Sequence, residues 1–377
     1  MKKLAIVRGK FLNQYEMQSF APLINRYEIT AFGSITPYHD TFPFSVIKCP
    51  SPMDLPEFPY KMQILNRLFV DAHYLLGLED KLEGFDIVHA AETYYHYTQQ
   101  CLNAKKQGSV KKVVATVLEN IPFNNESIWG RKAFKKRARN ELDHMIALTN
   151  KTKRALIAEG ADPKKITVIG HGIDTKKFSP EKDHLKKLKL QDRELTILFS
   201  GRLERYKGVY EILEALRMLL KKNTNVRLKL IFAGGGSEKK NLLKLEKHYG
   251  LTAMVFHISA DYKDMPDMYR NADIVALPSI STPTWEEQYC TALLEAQSMG
   301  LPIVTTGSGG IPENVGDCAL YCKEKNALSL ARELQKFIEN GDLRVRYGQK
   351  ARDRAVRVHD SRIIADKLDH VYENLFS

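Results

Sequence analysis

An alternation of short apolar segments with longer amphipathic ones runs along almost the whole chain and most constrains its fold. In the first half the apolar segments are compact, rich in β-branched residues and bounded by turn residues, which is typical of strands. They cover residues 4–8, 27–32, 44–49, 85–91, 112–119, 144–149 and 166–170. Periodic stretches such as 63–78, which we predict to be a helix, stand between them. Strands that alternate with helices form a parallel sheet with helices on both faces, so residues 1–171 predict a doubly wound α/β domain.

A polar, lysine-rich segment, residues 172–194, interrupts this alternation and is interpreted as an interdomain linker. Beyond it the same pattern begins again. Strands are predicted at 195–201, 227–235, 254–258, 273–279 and 301–307, with helices near 208–222, 237–249, 264–271, 290–299, 325–340, 342–357 and 361–375. A chain of 377 residues suits two domains. Doubly wound domains bind ligands at the carboxyl ends of their strands, so we expect the chemistry in a cleft between the domain of residues 1–171 and that of residues 195–360.

Composition excludes several classes of protein. The sequence has no run of about 18 apolar residues that would span a membrane. The basic N-terminus is followed by a short apolar stretch, Leu4 to Val7, which indicates a first strand rather than a signal peptide, so a cytoplasmic location is expected. The five cysteines are scattered and odd in number, which favours buried thiols over disulfides or a metal site.

The formal net charge of +12 favours anionic partners. Five of the cations lie on one predicted helix within residues 130–140: Lys132, Lys135, Lys136, Arg137 and Arg139. One interpretation is a solvated helix face, and the other is peripheral contact with an anionic membrane surface. The cluster lacks interleaved aromatic residues and no nucleic-acid motif stands elsewhere, so nucleic acid is not expected as a partner.

A first candidate site follows the predicted strand 195–201, where Arg202 and Lys207 precede a helix. Two cations beside a helix N-terminus suit a diphosphate, and the alternative is a solvated turn. The segment 233–242 has three successive glycines at a second strand-to-helix turn. Such glycines allow the backbone to approach a ligand closely, or only to solve a steric problem.

The strongest candidate segment is 277–313, in which Glu287 precedes a predicted helix and Glu295 lies inside it. A carboxylate at a helix start can bind sugar hydroxyls while the backbone N–H groups of residues 288–290 face a phosphate. Glu295, two turns further on, can reach a second pair of hydroxyls, such as those of a ribose. The alternative is that Glu286 and Glu287 cap the helix and Glu295 lies on the surface.

These segments resemble one known family. EQYCTALLEAQSMGLPIVTT, with carboxylates eight positions apart, is similar to the Glu-x7-Glu motif of the family 4 retaining glycosyltransferases of GT-B fold. GRLERYKG resembles the diphosphate-binding turn of the same family, and the segments 168–180, 261–279 and 308–313 also resemble it. The resemblance covers residues 110–377 and is weaker before them.

The resemblance implies two Rossmann-like domains that face each other across a deep cleft, with the C-terminal helix 361–377 returning to the N-terminal domain. By position, Arg202 and Lys207 would bind the donor diphosphate, Glu287 the hexose and Glu295 the ribose. The remaining donor contacts would come from the backbone of Gln288, Tyr289 and Cys290 and, at the nucleobase, from the backbone near Ile258 and Ser259.

The sequence departs from the family pattern in three places. Cys290 and Ile258 stand where glycine is common, and the histidine that many members carry after the strand matching residues 113–117 is absent, because Leu118, Glu119 and Asn120 follow there. Glu119 and Asn120 are the candidate replacements for that sugar contact, and the alternative is that the contact is absent. On the same domain, Gly9 and Lys10 after the first strand are candidates for contact with the donor phosphates. His89 is either a ligand-facing or a core histidine, and His171 is interpreted as structural.

The family implies transfer of a hexose from a nucleotide sugar, with UDP- and GDP-sugars both compatible, to a hydroxyl of a glycan or lipid-linked acceptor in envelope polysaccharide biosynthesis. It implies retention by front-face substitution. No cofactor or metal is expected, because no Asp-x-Asp motif stands at a plausible strand end and the two cations would take the metal's place. A non-catalytic nucleotide-sugar-binding protein and a GT-B epimerase-type protein are the alternatives. A nicotinamide oxidoreductase is disfavoured because the Gly-x-Gly-x-x-Gly fingerprint is missing.

Overall fold

The computed structural model describes residues 1–190, 194–221 and 226–377. It divides into two compact units: residues 1–172 with 361–377 form unit 1, and residues 173–360 form unit 2. The chain therefore passes from one unit to the other twice. Residues 191–193 of the segment interpreted as a linker, and residue 222 of the predicted helix 208–222, lie outside the described residues.

Unit 1 contains a seven-stranded sheet. Its strands are β1 Lys2–Gly9, β2 Tyr27–Gly33, β3 Ser45–Lys48, β4 Phe85–Ala91, β5 Val110–Val117, β6 His144–Ala147 and β7 Ile166–Val168. All neighbours pair in parallel, in the order β3-β2-β1-β4-β5-β6-β7. The predicted strands are confirmed, and so is the parallel sheet.

The helices of unit 1 that precede unit 2 are α1 Gln14–Met17, α2 Lys61–Phe69, α3 Leu78–Lys81, α4 His96–Lys106, α5 Arg131–Glu141 and α6 Asn150–Ala158. The prediction of one helix over residues 63–78 is wrong. Helix α2 ends at Phe69, because Val70 has a φ of +64°, which no α-helix allows. The backbone of Leu75 then bonds to the Gln100 side chain in both directions, at 2.9 and 2.8 Å, so a tertiary contact replaces the helical hydrogen bonds.

Unit 2 contains a six-stranded parallel sheet in the order β10-β9-β8-β11-β12-β13. Its strands are β8 Leu195–Ser200, β9 Leu228–Ala233, β10 Val255–Ile258, β11 Ile274–Leu277, β12 Ile303–Thr305 and β13 Ala319–Tyr321. Its helices are α7 His184–Lys189, α8 Val209–Lys221, α9 Lys239–Tyr249, α10 Met265–Arg270, α11 Thr291–Ser298, α12 Ile311–Val315, α13 Ala327–Glu339 and α14 Gly341–Arg354. Strand β13 was not predicted.

The segment that precedes β8 is folded into unit 2. Helix α7 packs against α14, and His184 and Leu188 of α7 are buried. The buried guanidinium of Arg344 donates to the carbonyl oxygens of Leu188 and Leu190 at 2.7 and 2.6 Å. Residues 173–190 are thus part of the domain, although their polar sequence was interpreted as a linker.

The last helix, α15 Ser361–Asn374, belongs to unit 1, as expected. Its Ile364, Leu368 and Tyr372 pack with Leu4 and Ile6 of β1 on one face of the sheet. The alternate residues of β1 join a second core on the other face with α4. This alternation follows from the two-residue period of a strand and explains why both faces of β1 are apolar.

Both sheets reverse their strand order beside their first strand, between β1 and β4 in unit 1 and between β8 and β11 in unit 2. The carboxyl ends of the strands at such a switch point diverge and leave a crevice for ligands. Within the described ranges, none of the helices combines the length and the hydropathy that crossing a membrane requires. The cysteines are free thiols, and all except the half-buried Cys290 are buried.

Candidate functional sites

The turn after β8 packs tightly on the other loops at the switch point of unit 2. Gly208 has a φ of +74°, and a Cβ there would lie 2.1 Å from the carbonyl oxygen of Pro278. A Cβ on Gly234 or Gly236 would lie 2.1 Å from the Gly201 oxygen or 2.3 Å from the Leu203 oxygen. The steric interpretation therefore accounts for two of the three glycines in segment 233–242, which let this loop support the turn carrying Arg202 and Lys207.

The half-buried Lys207 and the buried Glu287 form an ion pair at this point, with 2.6 Å between Nζ and Oε2. The Ser279 hydroxyl, just beyond β11, donates to the same oxygen at 2.8 Å. Burial lowers the pKa of Lys207, but the charge of Glu287 outweighs it and raises the pKa above its ordinary value. Lys207 therefore stays charged, and the site holds a cation and a carboxylate side by side.

Aromatic side chains surround this pair. The Lys207 Nζ lies 5.1 Å from the centre of the Trp285 ring, and the Tyr206 ring centre lies 4.1 Å from that of Trp285. Arg202 is exposed, with its guanidinium 5.6 Å from the Tyr206 ring. The two cations predicted to act together thus differ in setting: Lys207 is fixed and Arg202 is open to solvent.

The backbone around Glu287 is fixed by the loop after β12. The Glu287 N–H donates to the Ser308 hydroxyl at 3.2 Å, and the Gly310 N–H donates to the Glu287 carbonyl at 2.8 Å. Segment 308–313, singled out from the sequence, therefore positions the carboxylate.

Glu295 lies in α11 and is buried, so the alternative of a surface residue is wrong. The Tyr269 hydroxyl donates to its Oε2 at 2.7 Å. Burial raises the pKa of Glu295 to about 7. The Glu295 carboxyl accepts a hydrogen bond, and because its pKa lies near neutral pH, a ligand that binds beside it can change its charge.

The residues between the two glutamates shape the start of α11. Cys290 has a φ of +62°, in the left-handed region that favours glycine. The Asn314 amide donates to the carbonyl oxygens of Tyr289 and Cys290, at 2.5 and 3.1 Å. The Tyr289 side chain is buried with its hydroxyl 3.4 Å from His359, and Gln288 is half-buried.

The two residues expected near the nucleobase lie at the end of β10. Ile258 is half-buried and its carbonyl accepts from the Gly234 N–H at 2.9 Å, while Ser259 is exposed. The glycine turn thus also joins the end of β10 to the loops around β8.

Of the two interpretations of His89 in unit 1, the structure supports the core histidine. It is fully buried, and its ring nitrogens lie 2.5 Å from the Tyr372 hydroxyl and 2.7 Å from the Thr116 hydroxyl. Burial first, and then the nearby Arg8, lower its pKa well below the ordinary value. A neutral histidine bonded on both sides ties β4 to β5 and α15 and does not face a ligand. His171 is also buried, with a pKa lowered mainly by burial.

The other candidates of unit 1 lie in loops at strand ends. Gly9 has a φ of +53°, and the Lys10 ammonium donates to the Thr36 hydroxyl at 2.7 Å. Asn120 is buried. Glu119 accepts from the Ile121 N–H at 2.9 Å and from the side chains of Asn124 and Asn125, and burial raises its pKa. Its carboxylate therefore organises its own loop.

The basic helix is not one solvated face. Lys135 is buried and pairs with Glu159 at 2.5 Å, and Arg139 pairs with the same carboxylate at 3.0 Å. Arg137 pairs with Glu141 at 2.9 Å. Of the five cations, Lys132 and Lys136 alone are exposed, because their helix packs against the domain.

Unit 1 contains a second polar cluster, which no sequence pattern singled out. Asp71 is fully buried, with Oδ1 2.8 Å from His73 Nδ1 and Oδ2 2.5 Å from the Arg131 guanidinium. Glu92, the first residue after β4, is also buried. The only signal was the polar pair at 71 and 73 inside the apolar stretch 63–78. Over the residues that the structure describes, no group of three or more potential ligands is placed to hold a metal ion.

Comparisons with known proteins identify the class. A crystal structure of HepE from Anabaena, titled as a complex with UDP-glucose, superposes with a TM-score of 0.78 over 99% of this chain and 100% of that one, at 16% identity. Sucrose-phosphate synthase from Thermosynechococcus elongatus superposes with a TM-score of 0.77 over 100% and 99% of the two chains, at 17% identity. These likenesses establish the fold, which is GT-B.

Two family models match successive parts of the chain. Residues 35–177 match Glycosyltransferase Family 4, and residues 180–354 match Glycosyl transferases group 1. The chain belongs to this family of glycosyltransferases.

Curated relatives agree with this assignment over part of the chain. The D-inositol 3-phosphate glycosyltransferase of Corynebacterium jeikeium is 31% identical over 62% of this chain and 58% of its own length. That of Corynebacterium kroppenstedtii is 29% identical over 57% and 50%. The capsular polysaccharide biosynthesis glycosyltransferase CapM of Staphylococcus aureus is 26% identical over 60% of each chain. The match thus spans between half and three fifths of these relatives.

Proposed function

We propose that this protein transfers a hexose from a nucleotide sugar to a hydroxyl of a glycan or lipid-linked acceptor, with retention of the anomeric configuration. The observation that carries the proposal is the ion pair of Lys207 with the buried Glu287, to which Ser279 also donates, at the switch point of unit 2. The names of CapM and of the inositol phosphate enzymes support a role in the synthesis of glycans or glycolipids.

Each part of the donor would contact a different set of residues in this site. The exposed Arg202 meets the diphosphate first, and Lys207 turns from Glu287 toward it, since a diphosphate carries more negative charge than one carboxylate. Glu287, still held by Ser279, then accepts hydroxyls of the hexose. Glu295, beside Tyr269, accepts those of the ribose, and the backbone of Gln288, Tyr289 and Cys290 faces the sugar and phosphate.

The reaction needs no general base from the protein. In the front-face mechanism the acceptor oxygen forms its bond to the anomeric carbon on the side from which the diphosphate leaves, and a phosphate oxygen takes the acceptor proton. Lys207 and Arg202 stabilise the departing diphosphate in place of a metal ion. Catalysis then rests on positioning and preorganised charge.

The nucleotide is proposed to be UDP first and GDP second, because HepE is titled as a complex with UDP and with UDP-glucose. Gly9 and Lys10 of unit 1 are proposed phosphate contacts, and Glu119 and Asn120 are proposed sugar contacts. Peripheral contact with an anionic membrane, if made through residues 130–140, would use Lys132 and Lys136 beside the exposed Trp129.

The two tryptophans provide a test of donor binding, because Trp129 lies in unit 1 and Trp285 beside Lys207 in unit 2. In a Trp129→Phe variant, fluorescence reports on Trp285 alone. Titration with UDP, GDP and ADP should give a saturable change with UDP or GDP, and Lys207→Ala should abolish it. If calorimetry of the wild-type protein detects no binding of any of these nucleotides, the proposal is wrong.

The product distinguishes the transferase from its alternatives. A transferase releases UDP from UDP-glucose in proportion to added acceptor. An epimerase-type protein alters the sugar without acceptor, and a non-catalytic protein binds the nucleotide sugar without turnover. A survey of soluble sugars and lipid-linked saccharides as acceptors therefore separates the three.

A further inference from the structure

The switch point of unit 1 carries a polar and aromatic cluster, which we call the β1/β4 cluster: Phe11, Asp71, His73, Glu92, Tyr95 and Arg131. Phe11 follows β1, and Glu92 and Tyr95 follow β4, so the cluster lies where the strand order reverses. Asp71 and His73 come from the irregular segment after α2, and Arg131 begins α5. This is the position in unit 1 that corresponds to the Lys207–Glu287 site of unit 2.

Asp71 and His73 form a fixed pair that leaves one ring nitrogen unused. The Asp71 carboxylate accepts from the His73 backbone N–H at 3.0 Å and from Nδ1 at 2.8 Å. The His73 side chain is 5% exposed, and its Nε2 has no hydrogen-bond partner among the described residues. A buried nitrogen without a partner lowers the stability of the folded state, so its retention needs an explanation.

Glu92 presents a second unused group. Its φ of +61° places it in the left-handed region, a strain that proteins keep mainly at functional positions. Oε1 accepts from the N–H groups of Leu118 and Glu119 at 2.9 and 3.0 Å, while Oε2 is buried and, over the described residues, without a partner. One oxygen is thus anchored and the other is available.

The charges of the cluster balance. Arg131 neutralises Asp71, to which it donates at 2.5 Å. Burial, and then the charge of Glu119, raise the pKa of Glu92 to about 8, with Lys135 acting in the opposite direction. Tyr94 and Tyr95 also face this carboxyl and are held neutral by burial. Near neutral pH the protonated Glu92 therefore adds an uncharged hydrogen-bonding group beside the Asp71–Arg131 ion pair.

Aromatic rings complete the cluster and reach the surface. The His73 ring centre lies 4.9 Å from that of Phe11 and 4.3 Å from that of Tyr95. Tyr38, 54% exposed, packs its ring 5.8 Å from Phe11. Aromatic faces beside hydroxyl-binding groups suit a sugar ring, whose C–H face is apolar and whose edge carries hydroxyls.

We propose that the β1/β4 cluster binds an uncharged sugar or polyol ring of the acceptor, and that His73 Nε2 and Glu92 Oε2 hydrogen-bond its hydroxyls. This inference rests on the proposed function and names the acceptor side of it. Both residues are binding residues, and Asp71 is a positioning residue that orients His73. The competing explanation is that an ordered water satisfies the two atoms.

Two nearly isosteric variants test the proposal. His73→Asn keeps an amide where Nδ1 meets Asp71 and removes Nε2. Glu92→Gln keeps the oxygen that accepts from Leu118 and Glu119 and replaces the other oxygen by an amide. The matched control is His144→Asn, a half-buried histidine of β6 whose ring nitrogen lies 2.8 Å from the Thr167 hydroxyl.

The kinetic readout uses UDP-glucose as donor probe and glucose, N-acetylglucosamine, lactose and D-inositol 3-phosphate as acceptor probes. For the neutral acceptor that gives the highest rate, His73→Asn should raise the acceptor KM at least tenfold, whereas Glu92→Gln should raise it less, because its amide can donate where the protonated Glu92 does. The Kd for UDP and the Tm should not change, and the control should match the wild type. Folded variants with wild-type acceptor kinetics, or a wild type that uses only the phosphorylated acceptor, would overturn the proposal and favour the internal water.

Failure of the proposed function gives a different result. If UDP does not bind the wild type, the donor assignment is wrong, and the acceptor cluster is then tested directly by calorimetry with the three neutral sugars. Binding that the His73→Asn variant loses would support the cluster as a sugar site in its own right. Absence of any sugar binding by the wild type, with or without UDP, would reject it.

Discussion

The two switch points of this protein have the same topology but opposite chemistry. Between β8 and β11, Lys207 and Glu287 form an ion pair that an exposed Arg202 accompanies. Between β1 and β4, the charges of Asp71 and Arg131 cancel and Glu92 is held neutral by burial. The backbone arrangement is repeated while the side chains differ, and on this difference we base the proposals of a diphosphate in unit 2 and an uncharged ring in unit 1.

The two sites also differ in how they are built. The unit 2 site comes from short, contiguous segments in which the reactive residues stand close together. The β1/β4 cluster joins four separate segments, and its central pair lies in a stretch whose apolar period predicted a helix. Contiguous sites can be found from spacing, whereas dispersed ones need the tertiary structure.

The largest expected effect comes from Lys207. Lys207→Ala should lower turnover of UDP-glucose by about 10²-fold or more, because it removes a preorganised positive charge at the leaving diphosphate. The matched control is Arg205→Ala in the same turn, whose guanidinium lies 5.1 Å from the Tyr210 ring. Release of UDP measures both. Near-normal turnover by the Lys207 variant would end the assignment of unit 2 as the donor site.

Asp71→Asn tests whether unit 1 depends for its stability on the charge that Asp71 supplies to Arg131. Loss of this carboxylate leaves the buried Arg131 without its counter-charge, which should lower the free energy of unfolding of unit 1 by about 3–5 kcal/mol. Urea unfolding in a Trp285→Phe background, followed by Trp129 fluorescence, measures it. Glu373→Gln, which breaks the exposed pair with Lys2, should cost less than about 1 kcal/mol. Equal effects of the two substitutions would show that the cluster is not charge-balanced by Asp71.

The buried carboxyls give each unit its own pH dependence. The folded pKa of Glu295 is about 7 and that of Glu92 about 8, against 4.5 for an ordinary glutamate. Since the folded state holds the proton more tightly, the stability that the protonated group contributes is present below pH 4.5 and is lost as the pH rises through the folded pKa.

Relative to Glu295→Gln, unit 2 should therefore lose on the order of 3 kcal/mol of unfolding free energy between pH 4.5 and 7. Relative to Glu92→Gln, unit 1 should lose more, over a window that extends to about pH 8. Urea unfolding of the single-tryptophan proteins across this range measures each unit. If the difference in unfolding free energy between the glutamate protein and its glutamine variant does not vary with pH, that glutamate has its ordinary pKa.

Cys290→Gly should give the smallest effect. Glycine adopts the φ of +62° without strain, so the substitution should stabilise unit 2 by about 1 kcal/mol, while Cys290→Ala keeps the strain and should not. Urea unfolding followed by Trp285 fluorescence in the Trp129→Phe background compares them. A destabilised glycine variant would show that packing of the thiol outweighs the backbone strain.

The sequence by itself determined the two parallel sheets and nearly all of their strands, and it singled out the residues of unit 2 that we propose to bind the donor. Strands are encoded by local runs of apolar residues, and Arg202, Lys207 and Glu287 lie in the loops that follow strands, whereas Glu295 lies inside α11. The same local rules failed at residues 63–78, where the Gln100 side chain and the backbone of Val70 replace helical geometry.

Only the tertiary structure decided which polar groups are available. In the sequence Lys135 and Arg139 look like surface cations, but both form ion pairs with the carboxylate of Glu159. His89 looks like a candidate ligand, but its ring is hydrogen-bonded to Tyr372 from the far end of the chain. Among the described residues, His73 and Glu92, which no spacing singled out, are two of those whose side chains keep a buried atom without a hydrogen-bond partner. Hydrogen bonding and ion pairing depend on distances of a few ångström between segments remote in sequence, and a linear pattern contains no such distances.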